Sequence, residues 1–419
     1  MLSGLTIRGR CLLAAGVAAG VCSLILDERD LLRVSAFVAA LPLLALLLAG
    51  RSRFGLAARR EVLPMRVPVG SQALVRLHIT GTGRLPVGGL QLEDGTPHAL
   101  GGRPRFRLSD VPRRGGAVLE YDVQPSLRGV HQIGPLRTRV GDPFGLSEFE
   151  RELGGRSRVV AVPRVVPLGG MPAGSGLGTG EDGTTRMRAG HGDDDSMVRQ
   201  YRHGDEMRRV HWKTTARRDE LMVRAEERPW QGGTTVLLDR RSAAHRGTGA
   251  RSSIEWAVSA AASISLHLNR HGRQVRLVTE DGRQLAGGSG PADGGHDDEA
   301  VLDSLAALRP STQRDLVCGR DPGNGQELVA VLGETTTAAV AELTRLRPQE
   351  ARSLALLLDV RAWSGQPADG GFDPQVTARR LRAAGWTVVI VGGPRTSTAE
   401  AWGRLCQDSD GTTGTGVAS

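Results

Sequence analysis

The chain has 419 residues, enough for two or three domains, and its 39% hydrophobic content excludes a disordered protein. Aromatics make up 3% while there are 57 glycines, so the cores must come from Leu, Val and Ala, and several Gly-rich stretches must be connectors. The net charge of +9 invites a nucleic-acid reading, but Lys213 is the one lysine among 54 basic residues, the arginines run along the whole length in the manner of a coding bias, and no basic run interleaves with aromatics as base stacking requires. Anionic lipid headgroups are the simpler partner for part of this charge, and no nucleic acid is expected.

Residues 11–26 form an uncharged apolar stretch and residues 34–50 another, separated by Asp27, Glu28, Arg29, Asp30 and Arg33. Each approaches the roughly 17 to 25 residues that cross a bilayer. Two spans joined by a polar turn are expected. Arg8 and Arg10 precede the first span, and Arg51, Arg53, Arg59 and Arg60 follow the second, which places both ends and the soluble domains in the cytoplasm, on the plasma membrane. The alternative is a cleaved signal followed by one span. A lipoprotein signal at Cys22 is disfavoured by bulky Val21 before it. Residues 1–60 are thus assigned to the hairpin and its basic flanks. The cysteines, Cys11, Cys22, Cys318 and Cys406, have no metal or redox spacing.

Residues 61–166 alternate in short apolar runs, such as 73–79, 117–123 and 136–140, punctuated by Gly and Pro, which predicts an all-β, sandwich-like domain. Residues 167–196 read as a Gly-rich linker or exposed loop, in which the acidic run Asp193 to Asp195 is a solvated charge cluster. Beyond residue 233 the period changes. Strands are expected at 234–239, 274–279, 327–332, 353–360 and 387–391, and helices at 252–270, 297–308, 336–346, 374–384 and 397–407. This is an open, doubly wound, mostly parallel sheet over 233–407. Residues 281–296 read as a polar excursion and 408–419 as a disordered tail.

The densest chemistry lies at 197–232, where Tyr201, Gly204, Asp205, Arg208, Val210, His211, Trp212, Lys213, Thr215, Ala216 and Arg217 crowd together. Asp205 is suited to N-cap a helix on which Arg208, His211, Trp212 and Thr215 share a face. The one lysine of the chain stands here beside one of its two tyrosines. A compact ammonium suits a phosphate or a tight carboxylate or carbonyl contact. The segment is either a polar recognition surface or a buried network bracing the α/β domain. No nucleophile elbow or phosphate loop occurs, Cys318 and Cys406 have no histidine near in sequence, and His203 and His211 lack further ligands at zinc spacing.

This window resembles the domain of unknown function 58 family, whose signature reads Tyr-x-x-Gly-Asp-x-x-Arg-x-Ile-His-Trp-Lys-x-Ser-Ala-Arg. Only Val210 for Ile and Thr215 for Ser depart from it. Arg128-Gly129, Gly134-Pro135, the turn motif Asp142-Pro143-Phe144-Gly145-Leu146 and Val162-Pro163 are similar to that family as well.

The resemblance implies a membrane-bound protein with a von Willebrand A-like domain, whose partners are a MoxR-type AAA+ ATPase and a transglutaminase-like protein, acting in chaperoning or assembly. In von Willebrand A domains the first strand ends in Asp-x-Ser-x-Ser and binds a divalent ion. Here the run is Asp239-Arg240-Arg241-Ser242-Ala243, with Arg241 and Ala243 at the serine positions, so no metal and no other cofactor is expected. The expected function is a scaffold or assembly factor rather than an enzyme. The alternative is a hydrolase-like enzyme using Asp205, His211 and Lys213.

Overall fold

The computed structural model describes residues 4–51, 55–82, 90–108, 116–142, 144–172, 198–200, 222–224, 233–287, 294–318, 327–345, 347, 352–364 and 372–411. The Tyr201 to Arg217 motif and Pro143 lie outside them, as does most of the expected linker.

Two helices open the chain, α1 (Ile7–Leu26) and α2 (Arg29–Arg51), each long and apolar enough to cross a membrane. Thr6 caps α1 by accepting the Gly9 N–H at 3.2 Å, and Asp27 ends it in the left-handed region at φ 51°. The connection is shorter than the polar cluster suggested. Arg29, Asp30 and Arg33 belong to α2, and Arg33 pairs with Asp30 one turn away at 2.9 Å, because helical hydrogen bonding continues through residues whose side chains reach water. The two helices meet through small residues: a side chain at Gly16 would collide with the Ala39 backbone at 2.8 Å, and Gly20 faces Ser35.

A β-rich region follows. One sheet has the order β1-β3-β6 (Gly55–Leu63, Ala73–Thr82, Ala117–Val123), a second β5-β4-β8-β9 (Arg105–Leu108, Leu90–Asp94, Leu136–Gly141, Glu148–Leu153) and a third β2-β10-β7 (Arg66–Pro68, Ser157–Val162, Gly129–Ile133). Alternation along β3 directs Val75, Leu77 and Ile79 to one face, all fully buried. Leu77 and Ile79 share a cluster with Leu90, Leu92, Leu136 and Val140, whereas Val75 packs with Val67, Ile133 and Val159, so the first sheet forms a core with both others. Strand β1 starts at Gly55, inside the stretch assigned to the membrane flank. Arg59 and Arg60 are therefore strand residues, and Arg60 is not a headgroup ligand.

Arg60 instead ties the region together. Its Nη2 and Nε donate to Asp94 at 2.5 and 3.0 Å, and Nη1 donates to the carbonyls of Ile133 and Gly155 at 3.1 and 2.9 Å. The Tyr121 hydroxyl completes the cluster, donating to Asp94 at 2.6 Å. Burial, then the charge and hydrogen bond of Asp94, push the Tyr121 phenol well above its ordinary range. Gly134 is required beside it: at φ 106° it is in the left-handed half of the map, and a Cβ would lie 2.8 Å from the Arg60 guanidinium.

The α/β region is built on a six-stranded sheet ordered β15-β14-β13-β16-β17-β18 (Gln284–Ala286, Val275–Thr279, Thr234–Leu238, Glu327–Leu332, Ser353–Leu358, Thr387–Val391), parallel except for β15. Two further strands, β11 (Val198–Gln200) and β12 (Met222–Arg224), pair antiparallel on either side of the signature motif. Helices α3 (Ser253–Arg270) and α8 (Thr398–Gly411) touch each other and pack on the sheet, while α5 (Thr337–Arg345) and α7 (Pro374–Ala383) form another touching pair. Helix α4 (Gly294–Ala307) and the short α6 (Arg361–Ser364) complete the series. Leu237, Leu328, Ala330, Ala355 and Leu357 from the strands share one cluster with Val340, Leu343, Ala378 and Leu381 from α5 and α7. Strands buried on both faces explain the unbroken apolar runs.

Three expectations are corrected. Strand β15 lies within the 281–296 stretch read as an excursion, since an edge strand of three residues carries too little pattern to be seen. Helix α8 runs on through Gly411, past the expected end at 407, with Ser409 buried. Residues 167–172 are not a free linker. Val166 N–H donates to Ser263 at 2.9 Å, and the Gly170 carbonyl takes His267 and Trp402 at 2.8 and 3.3 Å.

Replacing Arg60 with alanine is expected to cost about 3–5 kcal/mol, because the fully buried Asp94 carboxylate is left without its cation. Urea unfolding of the detergent-solubilised protein reads this directly. A loss under about 1 kcal/mol, the size of an exposed pair, would show that solvent reaches the fork.

Candidate functional site

In an open α/β sheet, ligands bind beyond the carboxyl ends of the strands at the point where the strand order reverses. Here the chain leaves β13 for β14 and β15 on one side, then returns to place β16, β17 and β18 on the other. The switch point falls between β13 and β16. Asp239 follows β13 there, its N–H bonded to the Val331 carbonyl at 3.0 Å, and Gly333, Glu334 and Thr335 follow β16.

Asp239 is fully buried and is gripped by Arg241 from two residues away. The Arg241 Nε donates to Oδ1 at 2.9 Å and Nη2 to Oδ2 at 2.8 Å, a bidentate fork, and the Arg241 amide adds a third bond to Oδ1 at 3.1 Å. The outer guanidinium hydrogens are used too, Nη1 on the Arg314 carbonyl at 2.9 Å and Nη2 on the Glu334 carbonyl at 3.1 Å. The guanidinium is thus held between the loops after β13 and β16. Burial opposes its charge, but the hydrogen bonds and charge of Asp239 outweigh burial and hold its pKa above the ordinary arginine value. A divalent ion at this position would need converging oxygens. Arg241 supplies a cation there already, and the Ala243 side chain offers no oxygen where a serine hydroxyl would stand, so the residues present do not fit a bound metal.

Around this fork lies a second layer of charge. Arg240 donates from Nη2 to Asp281 at 2.8 Å and from its amide to Glu280 at 3.2 Å. Glu280 is wholly buried, and among the described residues its Oε1 has no hydrogen-bond partner. Burial raises the Glu280 pKa, with the Arg240 amide and charge opposing. Asp281 goes the other way: burial alone would raise it, but the Thr279 hydroxyl, the Arg283 amide and Arg240 bring it below the usual range. Arg246 reaches Glu334 at 2.6 Å. His245 bridges the Asp239 carbonyl at 2.8 Å and Ser253 at 3.0 Å, and burial lowers its pKa, with Asp239 opposing. Cys318 donates to the Glu280 carbonyl at 3.2 Å, and burial, with the charges of Glu342, Asp281 and Glu280, pushes its pKa to about 12. It is a protonated packing thiol at neutral pH.

The residues singled out from sequence therefore divide into three groups. Asp239 and Arg241 are brought together, while Ala243 lies in the same loop with no polar side chain, its carbonyl accepting from Arg246 Nη1 at 2.7 Å. Asp142, Phe144 and Gly145 form a turn in the β-rich region. Tyr201, Gly204, Asp205, Arg208, His211, Trp212, Lys213, Thr215 and Arg217 lie outside the described residues. Sequence reasoning missed Glu280, Asp281, His245 and Glu334. The signal for the first two was an acidic pair directly after a predicted strand, Thr279-Glu280-Asp281, at the sheet edge where α/β folds place their ligands.

An open sheet, parallel except for β15, whose switch point is closed by an internal ion pair defines an α/β domain. Residues 197–341 match the model of the family described as protein of unknown function DUF58. No curated protein matches. Among solved structures, the CARDB domain of a Pyrococcus furiosus protein, in complex with di-metal ions, is similar at 17% identity, covering 26% of this chain and 93% of that one with a TM-score of 0.19. A putative ApaA protein from Bordetella pertussis shows 16% identity over 26% of this chain and 94% of its own, with a TM-score of 0.16. Cwp6 from Clostridium difficile shows 10% identity, with 80% of this chain and 37% of that chain covered and a TM-score of 0.14.

Two outcomes follow from the site. Arg241→Ala is expected to destabilise the protein by about 3–5 kcal/mol through the unpaired Asp239 charge, whereas Arg241→Ala combined with Asp239→Asn recovers part of that loss; chemical unfolding of the three proteins tests it. His245 has a folded pKa below the unfolded value of about 6.5, so the unfolded chain takes up its proton first as pH falls. The stability due to the neutral imidazole is complete above that pH and is lost as pH drops through it. His245→Gln is expected to flatten, without abolishing, the fall in melting temperature on acidification, since His267 is shifted in the same direction.

Proposed function

We propose that the protein is a membrane-tethered, von Willebrand A-like binding module that works as a scaffold with a MoxR-type AAA+ ATPase, with a transglutaminase-like membrane protein as a further partner. The observation that carries this reading is the Arg241 guanidinium at the switch point, hydrogen-bonded to Asp239 and to the loop after β16. A buried guanidinium already bonded within the chain holds the switch-point loops in one arrangement without a metal, so a partner meets the surface around the ion pair and not the ion pair itself. The strand order, with the first strand central and an antiparallel edge strand, supports the von Willebrand A-like assignment. Helices α1 and α2 supply the tether, with the loop at Asp27 and Glu28 outside the cell and the soluble regions in the cytoplasm. Lys213 and its neighbours on the signature motif form the contact surface for the ATPase.

The full-length protein in nanodiscs is expected to bind a purified MoxR-type ATPase, and Lys213→Ala to weaken binding at least about tenfold, roughly 1.4 kcal/mol, with an unchanged melting temperature. No binding by the unmodified protein would end the ATPase assignment, and unfolding of the variant would make the motif a brace. For the tether, a cysteine at Glu28 should react with an impermeant maleimide added outside intact cells; labelling only after lysis would reverse the orientation.

A further inference from the structure

The motif Asp142-Pro143-Phe144-Gly145-Leu146 is absorbed by none of the roles above. Its turn is locally built: the Asp142 carboxylate accepts the amides of Leu146 at 2.8 Å and Ser147 at 3.2 Å, and Gly145, at φ 70°, donates its N–H to the Asp142 carbonyl at 3.1 Å. Other polar groups of the turn bond to the start of α1 and to α2. The Thr6 hydroxyl donates to the Gly145 carbonyl at 2.7 Å, the Thr6 N–H to the Leu146 carbonyl at 3.0 Å, and the Ser147 hydroxyl to the Ala45 carbonyl at 3.2 Å. Gly9 makes this possible, because a Cβ there would lie 2.1 Å from the Leu146 oxygen.

These bonds set the level of the turn. Ala45 is six residues before Arg51, which ends α2, so at 1.5 Å per residue the turn reaches about 9 Å along the helix from that end. Thr6 stands just ahead of the exposed Arg8 and Arg10 on α1. Lipid phosphates meet arginines at this level of a span. Phe144, 70% exposed, and Ile7, 80% exposed, each adjoin one partner of the Thr6–Gly145 hydrogen bond. Two large apolar side chains flanking one hydrogen bond in water are unfavourable, whereas at the boundary of headgroups and acyl chains the same arrangement is stabilising.

We propose that the turn from Asp142 to Ser147 is a membrane-interface wedge, with the Phe144 ring inserted among the lipid headgroups and upper acyl chains beside the hairpin, fixing the β-rich region against the bilayer. This rests on the reading of α1 and α2 as membrane spans. The occupant is lipid because the turn is continuous, through four backbone and hydroxyl contacts, with the ends of those helices.

Depth-dependent quenching tests it on the full chain in phosphatidylcholine and phosphatidylglycerol vesicles. With Cys11 and Cys22 replaced by alanine, an environment-sensitive fluorophore is attached to a cysteine at Phe144, at Val17 in mid-α1, or at Val130 on β7. All three positions are exposed, so the labels leave the packing intact. The expected result is quenching of the 144 label more by spin-labelled lipid of shallow depth than of deep, quenching of the 17 label in the reverse order, and little quenching of the 130 label by either. A 144 label that behaves like the 130 label while the 17 label is quenched overturns the wedge and leaves the hairpin standing. A 17 label that escapes quenching removes the hairpin and the wedge with it.

Discussion

The organising constraint in this molecule is the buried arginine–aspartate fork. A guanidinium stripped of water is tolerable only when its charge and its donors are met together, and Arg241 meets that condition with one carboxylate and two carbonyls from distant parts of the chain, while its own amide donates to the same carboxylate. Those carbonyls belong to Arg314 and Glu334, so the fork holds three segments in register at the switch point. The neighbouring groups are arranged around it. His245 reads the Asp239 carbonyl, Ser311 exchanges backbone bonds with Arg240 and Ser242, and Arg246 reaches back to Glu334.

The β-rich region solves a similar problem with Arg60 and Asp94. The strand carrying Arg60 lies in one sheet, Asp94 in a second, and the carbonyl of Ile133 in a third, so one side chain spans all three. Apolar clusters alone would leave such small sheets free to slide, since dispersion and hydrophobic burial have no direction. A fork with fixed angles restores a unique register. In both regions the chain uses arginine as a core residue, which a composition dominated by arginine disguises as general surface charge.

Much of the architecture was legible from pattern. The paired apolar stretches, the alternation along 73–79 and 117–123, and the strand and helix series after residue 233 rest on local periodicity, which one stretch of chain carries by itself. Boundaries failed where periodicity is uninformative. Strand β1 was hidden because Arg59, Arg60 and Glu61 break its apolar pattern, and α8 was shortened because its last turn, beyond Gln407, has no apolar side chain, although Ser409 in it is buried. The candidate site was partly legible: Asp239 and Arg241 stood out through their place after an apolar strand, whereas Glu280 and Asp281 are 41 and 42 residues from Asp239 in sequence and meet it only through the pairing of β13 with β14.

What the amino-acid sequence determined alone was local: that residues 11–26 and 34–50 are uncharged apolar stretches, which segments alternate with period two, where glycine permits a turn, and that a serine position carries Arg241. It also carried the signature between Tyr201 and Arg217, and with it the family of residues 197–341. Only tertiary structure decided which charges are buried and with whom. Arg51, Arg59 and Arg60 look alike in the sequence, yet one ends a helix, one is exposed and one is a core residue. The reason is that the pKa, the energy and the role of a charged group depend on the dielectric and the partners around it, and those are supplied by segments far away along the chain.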